Sequence, residues 1–368
     1  MATEESKSGE SFKDWFNEER YHAIAEQLAE ATPRFDRKLF LQLTREGLAG
    51  RELMARLQRT SFAANAALPG SFADKIAALR RVATEDANSF IGIWYSDFVG
   101  QFGLEEPEVS LPALRYFTRF GSAEFAIRGF ILRDPRGTLE EMAKWSQDEN
   151  EHVRRLASEG SRPRLPWGKQ LGFLVEDPSP TQKILSNLRA DPSLYVRKSV
   201  ANHLNDISKD HPDYVVTLLK SWTQSDPHTT WIAKRALRTL IKNAHPPTLE
   251  FLGVGRAPKL DNIELKLGAR RLNLGDALTL SLSIQSADTR DQNLLIDYVI
   301  HYVKASGATS KKVFKWKELT LPAAKTQKLE KRQVIRNFST RRHYSGRHQV
   351  DVQINGQLVI SDSFELMC

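Results

Sequence analysis

A polar strip beside the apolar face of a predicted helix is the first feature that suggests chemistry. It lies in the stretch YVRKSVANHLNDISKDHPDY, from Tyr195 to Tyr214. At about 100° per residue, the apolar stripe of this helix comprises Val196, Val200, Leu204 and Ile207. The positions on one flank of that stripe are Ser199, Asn202 and Asp206. Because Ser, Asn and Asp compete with the backbone for hydrogen bonds and lower helix propensity, we infer that something at this flank requires a carboxylate.

A second candidate, Glu159, lies in the stretch NEHVRRLASEGSRPRLPWG, residues 150 to 168. We predict that Gly160 ends the preceding helix as a left-handed cap, which places Glu159 in the last turn. A negative charge there opposes the helix dipole by about 0.3 to 1 kcal/mol. An ion pair with Arg162 or Arg164 would account for Glu159, and a functional role is the alternative.

The loop after this helix, SRPRLPW, combines two Arg, two Pro and one Trp in seven residues. The proline rings stiffen the loop, and the guanidinium groups match the geometry of phosphate. Trp167 adds a flat aromatic face, although a loop tryptophan more commonly anchors a core.

Glu124, in the stretch GSAEFAIRGFIL, is a third candidate. Ser122 is placed to cap a helix whose first turn would contain Glu124, so a structural interpretation is sufficient by itself. His152 and His203 have equally structural interpretations, and we assign neither to catalysis.

Composition indicates a globular chain of two domains. Of its 368 residues, 40% are hydrophobic and 27% are charged. There is no run of about eighteen apolar residues, so we expect no membrane span. The N-terminal residues MATEESKSGESF have neither the basic start nor the apolar core of a secretory signal. We therefore predict that residues 1 to 14 are a disordered lead and that the protein is cytoplasmic.

Metal and disulfide chemistry is not expected. The single cysteine is Cys368, which leaves neither a disulfide framework nor a thiolate metal site. The nine histidines show no HEXXH motif and no paired-ligand spacing. We predict that the protein uses no metal and no cofactor.

The net charge is +8 and the pI is near 9.4, which favours an anionic partner. Residues 258 to 368 contain 18 Lys and Arg against 11 Asp and Glu, so they account for +7 of this charge. An ordinary solvated surface is the alternative interpretation of a basic excess of this size.

Residues 15 to 250 read as consecutive helices with apolar positions recurring at intervals of three and four. Asp148, Asp191 and Asp226 each precede a basic helix, where a carboxylate suits the positive end of the helix dipole. The intervals between these aspartates are 43 and 35 residues, which indicates an α-solenoid of HEAT-like repeats. Such repeats form a concave groove.

A Gly- and Pro-containing linker at residues 251 to 260 ends the helical pattern. Beyond it the apolar period becomes two, as in Leu278-Leu280-Leu282-Ile284 and Val350-Val352-Ile354. Asn355-Gly356 is a strong hairpin-turn signal. We predict about seven strands and an antiparallel, immunoglobulin-like β-sandwich at residues 261 to 368. Its segment YSGRHQVDV resembles the sixth strand of such domains, with His348 where a corner tyrosine usually lies.

Four segments between residues 110 and 250 closely resemble bacterial DNA alkylation repair glycosylases of the AlkC and AlkD superfamily, which are built from HEAT-like repeats. The segments are EFAIRGF, HVRRLASEGSRPRLPWG, VRKSVANHLNDISKDHPD and ALRTLIK. The appended sandwich is similar to the AlkC branch, some members of which have a C-terminal immunoglobulin-like domain. Arg235 departs from the family pattern, which has a His before ALRTL, and this leaves the local DNA contact open.

The resemblance implies a monofunctional enzyme of base excision repair. The family hydrolyses the N-glycosidic bond of N-alkylated bases in duplex DNA, with 3-methyladenine the common substrate and 3-methylcytosine associated with the AlkC branch. By resemblance, Asp206 holds the attacking water and offsets the charge that develops on the sugar. Glu124 and Glu159 complete an acidic lesion pocket, and Trp167 stacks against the lesion nucleotide or its sugar. No lysine is expected beside Asp206, so the product is an intact strand with an abasic site.

Basic side chains must offset three carboxylates in a groove that binds DNA. The predicted contacts to the DNA backbone are Arg154, Arg162, Arg164, Arg197, Lys198, Lys234, Arg235 and Arg238. The basic residues through which the sandwich would clamp the duplex are Lys311, Lys312, Lys315, Lys317, Arg341, Arg342 and Arg347. A folding cap for the solenoid is the alternative role of the sandwich. We expect a monomer associated with the bacterial nucleoid.

A non-catalytic HEAT-repeat scaffold that binds DNA or an acidic protein is the competing function. Solenoid repeats bind partners more often than they perform chemistry. Such a scaffold predicts a basic and apolar groove without inward carboxylates, and Asp206, Glu124 and Glu159 argue against it.

Overall fold

The computed structural model describes residues 12–83, 90–338 and 341–368. The predicted disordered lead lies outside these ranges for residues 1 to 11. For its last residues the prediction is wrong, because Phe12–Trp15 forms a turn of 3-10 helix. The rings of Phe12 and Trp15 contact each other with centroids 4.9 Å apart, and the Trp15 ring also contacts Phe90. These aromatic contacts order the start of the described chain.

The chain divides into two compact units. Of the described residues, the first unit comprises 12–83, 90–210 and 222–236, and the second comprises 211–221, 237–338 and 341–368. Helices follow one another from residue 18 to residue 251, as predicted. In the described part of the chain the α-helices are α1 Glu18–Ala31, α2 Arg37–Arg45, α3 Leu53–Ala67, α4 Phe72–Val82, α5 Ile93–Phe102, α6 Pro107–Phe117, α7 Ile127–Arg133, α8 Pro135–Trp145, α9 Glu151–Gly160, α10 Gly172–Glu176, α11 Gln182–Asn187, α12 Leu194–Ile207, α13 Pro212–Lys220, α14 Pro227–Ala236, α15 Arg238–Lys242 and α16 Pro246–Phe251.

The predicted repeat is visible as hydrogen-bond geometry. The carboxylates of Asp148, Asp191 and Asp226 each accept a hydrogen bond from the backbone N–H two residues further on, at 2.8 Å in every case. The first two repeats also share a side-chain contact. In each, the Nη1 atom of an arginine, Arg154 or Arg197, donates to the backbone carbonyls five and six residues before that arginine. Equivalent positions of successive repeats therefore fix the entry of α9 and α12 in the same way.

The apolar stripe of α12 is confirmed as core. Val196, Val200 and Leu204 are fully buried, and α12 packs against α9 and α14. Burial of each such side chain contributes about 1.5 to 3 kcal/mol. This packing holds the last turns of α9 and α12 side by side, and both turns contain candidate carboxylates.

The second unit contains two β-sheets. The strands of the described chain are β1 Leu260–Leu267, β2 Arg271–Asn273, β3 Ala277–Ser286, β4 Gln292–Val303, β5 Thr309–Leu321, β6 Thr326–Val334, β7 Gly346–Ile354 and β8 Gln357–Met367. One sheet has the order β1-β3-β6 and the other β2-β8-β7-β4-β5. The sandwich prediction is confirmed, with two differences: the described residues form eight strands rather than about seven, and the short β2 pairs parallel to β8.

Sequence signals in this unit act as expected. Burial alternates strictly along β3, with Leu278, Leu280 and Leu282 in the core. Asn355 and Gly356 both have positive φ, 52° and 76°, as a two-residue type I′ hairpin turn requires. His348 takes the pinning role of a corner tyrosine: its ring contacts the Gly346 carbonyl at 2.9 Å and accepts the Val303 N–H at 3.3 Å.

The division into units does not follow the predicted linker at residues 251 to 260. Helices α13, α15 and α16 group with the sheets, although they lie within the helical range that we predicted as one domain. The physical reason is an apolar cluster in which Leu249 and Val254 pack with Leu295 of β4. Leu249 also approaches the hairpin turn at Gly356.

Candidate active site

Three buried carboxylates meet in the helical unit. Glu124 lies in the segment before α7, Glu159 in the last turn of α9 and Asp206 in the last turn of α12. Their residues are 7%, 7% and 4% exposed. The structure thus brings together all three acids that the sequence singled out, although 82 residues separate the first from the last.

Two buried arginines link these carboxylates into one chain. Arg155 Nη1 lies 2.5 Å from Glu124 Oε2, and Arg155 Nη2 lies 3.7 Å from Glu159 Oε1. Arg162 Nη1 donates to Glu159 Oε1 at 2.6 Å, and Arg162 Nη2 lies 2.7 Å from Asp206 Oδ2. We call this alternating series of Glu124, Arg155, Glu159, Arg162 and Asp206 the acid–arginine chain.

We expected an acidic pocket, but the carboxylates of the acid–arginine chain are paired with positive charges. Burial alone would raise the pKa of Glu159, but Arg155 and Arg162 outweigh burial and lower that pKa overall. The chain has one carboxylate more than it has guanidinium groups, and the buried Arg128 supplies a further positive charge that acts on all three acids. The three carboxylates are therefore charge-balanced in this structure. Removing one member of such a buried series typically costs about 3 to 5 kcal/mol.

Asp206 has a second cationic partner, contrary to the expectation that no lysine lies beside it. Lys209 Nζ donates to Asp206 Oδ1 at 3.0 Å, whereas Oδ2 accepts from Arg162 Nε at 2.8 Å. The Lys209 side chain is 46% exposed, and that of Asp206 only 5%. Lys209 follows Asp206 by three residues, just beyond the end of α12, so the pair is local. One oxygen of Asp206 is thus fixed by buried contacts and the other faces a solvent-accessible cation.

Trp167 is not a core anchor. Its side chain is 95% exposed, and its backbone lies in the left-handed region at φ 64°. A non-glycine residue in that conformation costs about 1 to 2 kcal/mol. The residue combines backbone strain with a large exposed apolar surface, and neither feature benefits the fold.

Arg128 fixes the loop that presents Trp167. Its Nη1 donates to the carbonyls of Gly160 and Arg162 at 2.9 and 2.8 Å, and its Nε donates to the carbonyl of Lys169 at 2.6 Å. One fully buried guanidinium therefore holds both ends of the loop. Burial lowers the pKa of Arg128 to about 10, which still leaves it charged at neutral pH.

Two local predictions around the carboxylates are wrong. Gly160 has no positive φ and is the last residue of α9; a side chain there would meet Ile127 Cγ2 at 2.6 Å, so packing requires the glycine. Ser122 caps no helix, because α7 begins at Ile127. Its hydroxyl instead donates to Glu124 Oε2 at 2.7 Å and accepts from Arg155 Nη1 at 2.8 Å.

The predicted contacts to the DNA backbone separate into groups. Arg154 and Arg197 donate to loop carbonyls, and Arg154 also pairs with Asp191 at 2.7 Å. Arg164 forms two 3.0 Å hydrogen bonds with Asp210, and Arg162 is buried in the acid–arginine chain. The exposed members on α12 and α14 are Lys198, Lys234 and Arg235. Arg238 lies in the second compact unit.

The histidines near the carboxylates have structural environments. His203 is fully buried, and burial lowers its pKa to about 3, so the ring is neutral. It contacts the Ser158 carbonyl through Nδ1 at 2.9 Å. His152 packs edge-on against the ring of Tyr195.

Sequence reasoning missed Arg128, Arg155 and Lys209. Two of them carried a local signal: Arg155 precedes Glu159 by four residues and Lys209 follows Asp206 by three, spacings at which side chains of a helix meet. Arg128 carried no such signal, because its partners lie 32 to 41 residues away.

Other classes of site find no support in the described residues. Within residues 12–83, 90–338 and 341–368, no three His, Cys, Asp or Glu side chains are grouped so that they could hold a metal ion. The helices of the same ranges include none with the length and apolarity needed to cross a bilayer.

Comparison with known proteins gives two family matches and two full-length relatives. Residues 117–243 match the family described as DNA alkylation repair enzyme, and residues 262–368 match the C-terminal Ig-like domain of the uncharacterised protein YhaZ. The protein YhaZ of Bacillus subtilis strain 168 is 39% identical over 96% of this chain and 99% of its own length. The alkylpurine DNA glycosylase AlkC of Pseudomonas fluorescens, solved bound to DNA containing an abasic site analog, is 44% identical. The alignment covers 98% of this chain and 100% of AlkC, with a TM-score of 0.92.

Proposed function

The chain belongs to the AlkC family of DNA alkylation repair proteins, and on that premise we propose that it is a DNA glycosylase of base excision repair. Its substrates are cationic N3-alkylated bases in duplex DNA, namely 3-methylcytosine and 3-methyladenine. The observation that carries the proposal is the buried Asp206 carboxylate. Its Oδ2 atom is held by Arg162, and its Oδ1 atom contacts the Lys209 ammonium group, which another cation can replace.

The chemistry needs little acid catalysis. A base alkylated at N3 carries a positive charge and leaves readily, and the positive charge then passes to the deoxyribose as the N-glycosidic bond breaks. The protein must place negative charge beside the sugar and position a water molecule for attack. Asp206 supports both roles, because an ionised carboxylate attracts the sugar cation and accepts a hydrogen bond from water.

The Lys209 ammonium group occupies the position beside Asp206 that the positively charged sugar takes during the reaction. Its ammonium group touches Asp206 Oδ1, and its long, half-exposed side chain can swing away. When the lesion enters, the developing cation replaces the ammonium without leaving an unbalanced charge. The acid–arginine chain behind Asp206 stays fixed, since Glu124, Glu159 and both arginines are buried. Glu159 and Glu124 act in this scheme by holding Arg162 and Arg155 in place.

Trp167 contacts the lesion nucleotide or its sugar. Three observations support this role: Trp167 is exposed, its backbone is strained, and Arg128 holds its loop through hydrogen bonds to backbone carbonyls. Stacking of a base on an aromatic ring is worth about 1 to 3 kcal/mol, enough to offset the cost of the backbone strain.

The product is an intact strand with an abasic site, although Lys209 is close to Asp206. In this scheme the displaced Lys209 side chain turns towards solvent and is not positioned against the sugar. An ammonium group is also no nucleophile, because Schiff-base formation requires the free amine. Borohydride reduction during turnover tests this assignment. A covalent protein–DNA adduct that disappears in Lys209→Gln would establish a lyase mechanism instead.

Contacts to the duplex are made by exposed cations. Lys198, Lys234 and Arg235 project from α12 and α14, whereas Arg162 is an integral part of the acid–arginine chain and we reassign it from phosphate binding. Arg154, Arg164 and Arg197 have partners already, so they bind phosphate only through the N–H groups that remain.

The sheet unit contributes further DNA contacts in this proposal. Four of its candidate lysines, Lys311, Lys312, Lys315 and Lys317, lie exposed on β5. Deleting the sandwich is a poor test, since removal of Leu295 would uncover Leu249 and Val254. Replacing the four lysines with glutamine keeps the fold. Unchanged affinity for duplex DNA would then support a purely structural role for the sandwich.

The substrate class is tested by base release from duplexes that contain a single 3-methylcytosine or 3-methyladenine. The proposal expects release of the free base and alkali-labile, uncut strands. A protein that binds the duplex and releases neither base would be the non-catalytic scaffold.

A further inference from the structure

An open pocket of about 640 Å³ lies on the helical unit, outside the acid–arginine chain. It is bordered by α4, α6 and the first turn of α9. The charged and aromatic residues that line it are Arg80, Arg115, Tyr116, Arg119, Asp148 and Glu149. We call it the Tyr116 pocket. No step of the proposed reaction uses it.

The Tyr116 ring holds two guanidinium groups. Arg80 Cζ lies 5.3 Å and Arg119 Cζ 5.6 Å from the ring centroid. The Tyr116 hydroxyl donates to the backbone carbonyl of Arg80 at 3.4 Å, and Arg119 also contacts the ring of Phe120. Cation–π contacts orient these side chains but leave their N–H groups available to an anion.

The charges of the pocket favour an anionic ligand. Arg115 donates to Asp148 at 2.7 Å, and the other oxygen of Asp148 accepts from the backbone N–H of Asn150. The negative charge of Asp148 is therefore already balanced by Arg115. Arg80 and Arg119 then face one exposed carboxylate, Glu149, so one positive charge remains. A phosphate bound between the two guanidinium groups would relieve their mutual repulsion.

Arginines also lie over aromatic rings further along the helical unit. Arg155 lies 4.9 Å from the ring centroid of Tyr195, and Arg197 and Arg235 lie 5.7 and 5.5 Å from that of Trp231. The rings belong to α6, α12 and α14, and the middle pair includes a member of the acid–arginine chain. Among these three arginine–aromatic clusters, the one at Tyr116 comes first in the chain, and the next one in the chain contains a residue of the candidate site.

We propose that the Tyr116 pocket binds a backbone phosphate of duplex DNA to one side of the lesion, an inference that rests on the proposed function. The separation suits such a contact: α9 runs from Val153 at the pocket to Glu159 in the acid–arginine chain. At 1.5 Å per residue this is about 9 Å, or about three base pairs of duplex. Arg80 and Arg119 bind the phosphate, and Tyr116 positions them.

The test uses the full-length protein and a 25-base-pair duplex with a central tetrahydrofuran abasic analogue. Dissociation constants are measured by fluorescence anisotropy across a range of KCl concentrations for wild type, Arg80→Gln/Arg119→Gln and the control Arg136→Gln. Arg136 is an exposed arginine paired with Glu140 on α8, and it does not line the pocket. Single methylphosphonates placed two to four nucleotides from the analogue then remove one phosphate charge at a time.

The proposal expects the double variant to bind about tenfold more weakly and to lose about one from the slope of log Kd against log salt, with the control unchanged. One methylphosphonate position should weaken wild type and leave the double variant unaffected, and Glu149→Gln should tighten binding. If wild type and the double variant had equal slopes of log Kd against log salt and equal methylphosphonate profiles, the phosphate site would be refuted, but the proposed function would stand. Failure of wild type to bind any duplex would overturn the proposed function as well.

Discussion

Replacing Lys209 with Met tests whether its ammonium group stands where the sugar cation develops. The Lys209–Asp206 contact is 3.0 Å long, but the lysine side chain is 46% exposed. A pair of that kind contributes about 0.2 to 1 kcal/mol. In the proposed scheme the ammonium group leaves before the lesion sugar approaches Asp206. Replacing the lysine should therefore lower the activation free energy by the energy of this pair, which corresponds to about a 1.4- to 5-fold rise in rate.

The assay is single-turnover base release from a 3-methylcytosine or 3-methyladenine duplex, with enzyme in excess. Lys144→Met is the matched control, since Lys144 forms an equivalent contact of 2.7 Å with Glu141, three residues before it on α8. The scheme predicts a modest acceleration for Lys209→Met and none for the control. A tenfold or greater loss of rate in Lys209→Met, with DNA affinity intact, would mean that the amine takes part in the reaction and would refute the displacement scheme.

Three further outcomes follow from the contacts around the site and in the sheet unit. Trp167→Gly should leave unfolding stability unchanged or raise it by up to about 1 kcal/mol, because φ 64° suits glycine, while affinity for abasic-site DNA falls about tenfold; a loss of stability with unchanged affinity would contradict this. Arg128→Lys should lower the free energy of unfolding by about 3 kcal/mol through lost carbonyl contacts, as measured by urea titration. Burial raises the pKa of Asp297 to about 6, so this carboxyl is protonated in the folded state at pH values where the unfolded chain has already lost the proton. The contribution of Asp297 to folding stability should therefore fall as pH rises from about 4 to about 6, so the stability of Asp297→Asn relative to wild type should increase across that window; parallel curves would refute the shift.

The fold was predictable wherever local chemistry determines it. The aspartates that open successive repeats, the alternation of β3 and the Asn355-Gly356 turn all act over a few residues, and each was read correctly. The grouping of α13, α15 and α16 with the sheets has no local signal, because it depends on packing of Leu249 and Val254 with Leu295, which is 41 residues further along the chain than Val254.

The site was predictable in part. Asp206 and Glu159 stood out because each is an unfavourable choice in its own segment, whereas Glu124 received its role only through the family resemblance. The structure brings all three carboxylates together. The arginines that join them did not stand out: Arg162 reaches Asp206 across 44 residues, and nothing local distinguishes it from a surface cation that would bind phosphate. The contact between Lys209 and Asp206 was predictable, because Lys209 follows Asp206 by three residues, a spacing at which helical side chains meet.

The role of Arg128 illustrates what only tertiary structure shows. An arginine inside EFAIRGF looks like a groove cation, but its guanidinium is fully buried and bonds to three carbonyls of the Trp167 loop and its flank. The positive φ of Trp167 is likewise not predictable from the sequence, because a tryptophan between Pro166 and Gly168 gives no sign of a left-handed conformation. Both features concern how the loop is held rather than which residues it contains.

The central claim is that the Asp206 carboxylate stabilises the sugar cation, and Asp206→Asn tests it most directly. Asp210→Asn is the matched control, since Asp210 pairs with Arg164 outside the acid–arginine chain. Single-turnover base release from 3-methylcytosine and 3-methyladenine duplexes should fall at least about 100-fold in Asp206→Asn. Affinity for the abasic duplex should stay within about threefold of wild type, with the fold checked by circular dichroism. Release within threefold of wild type, from a folded Asp206→Asn protein that binds DNA normally, would contradict the account.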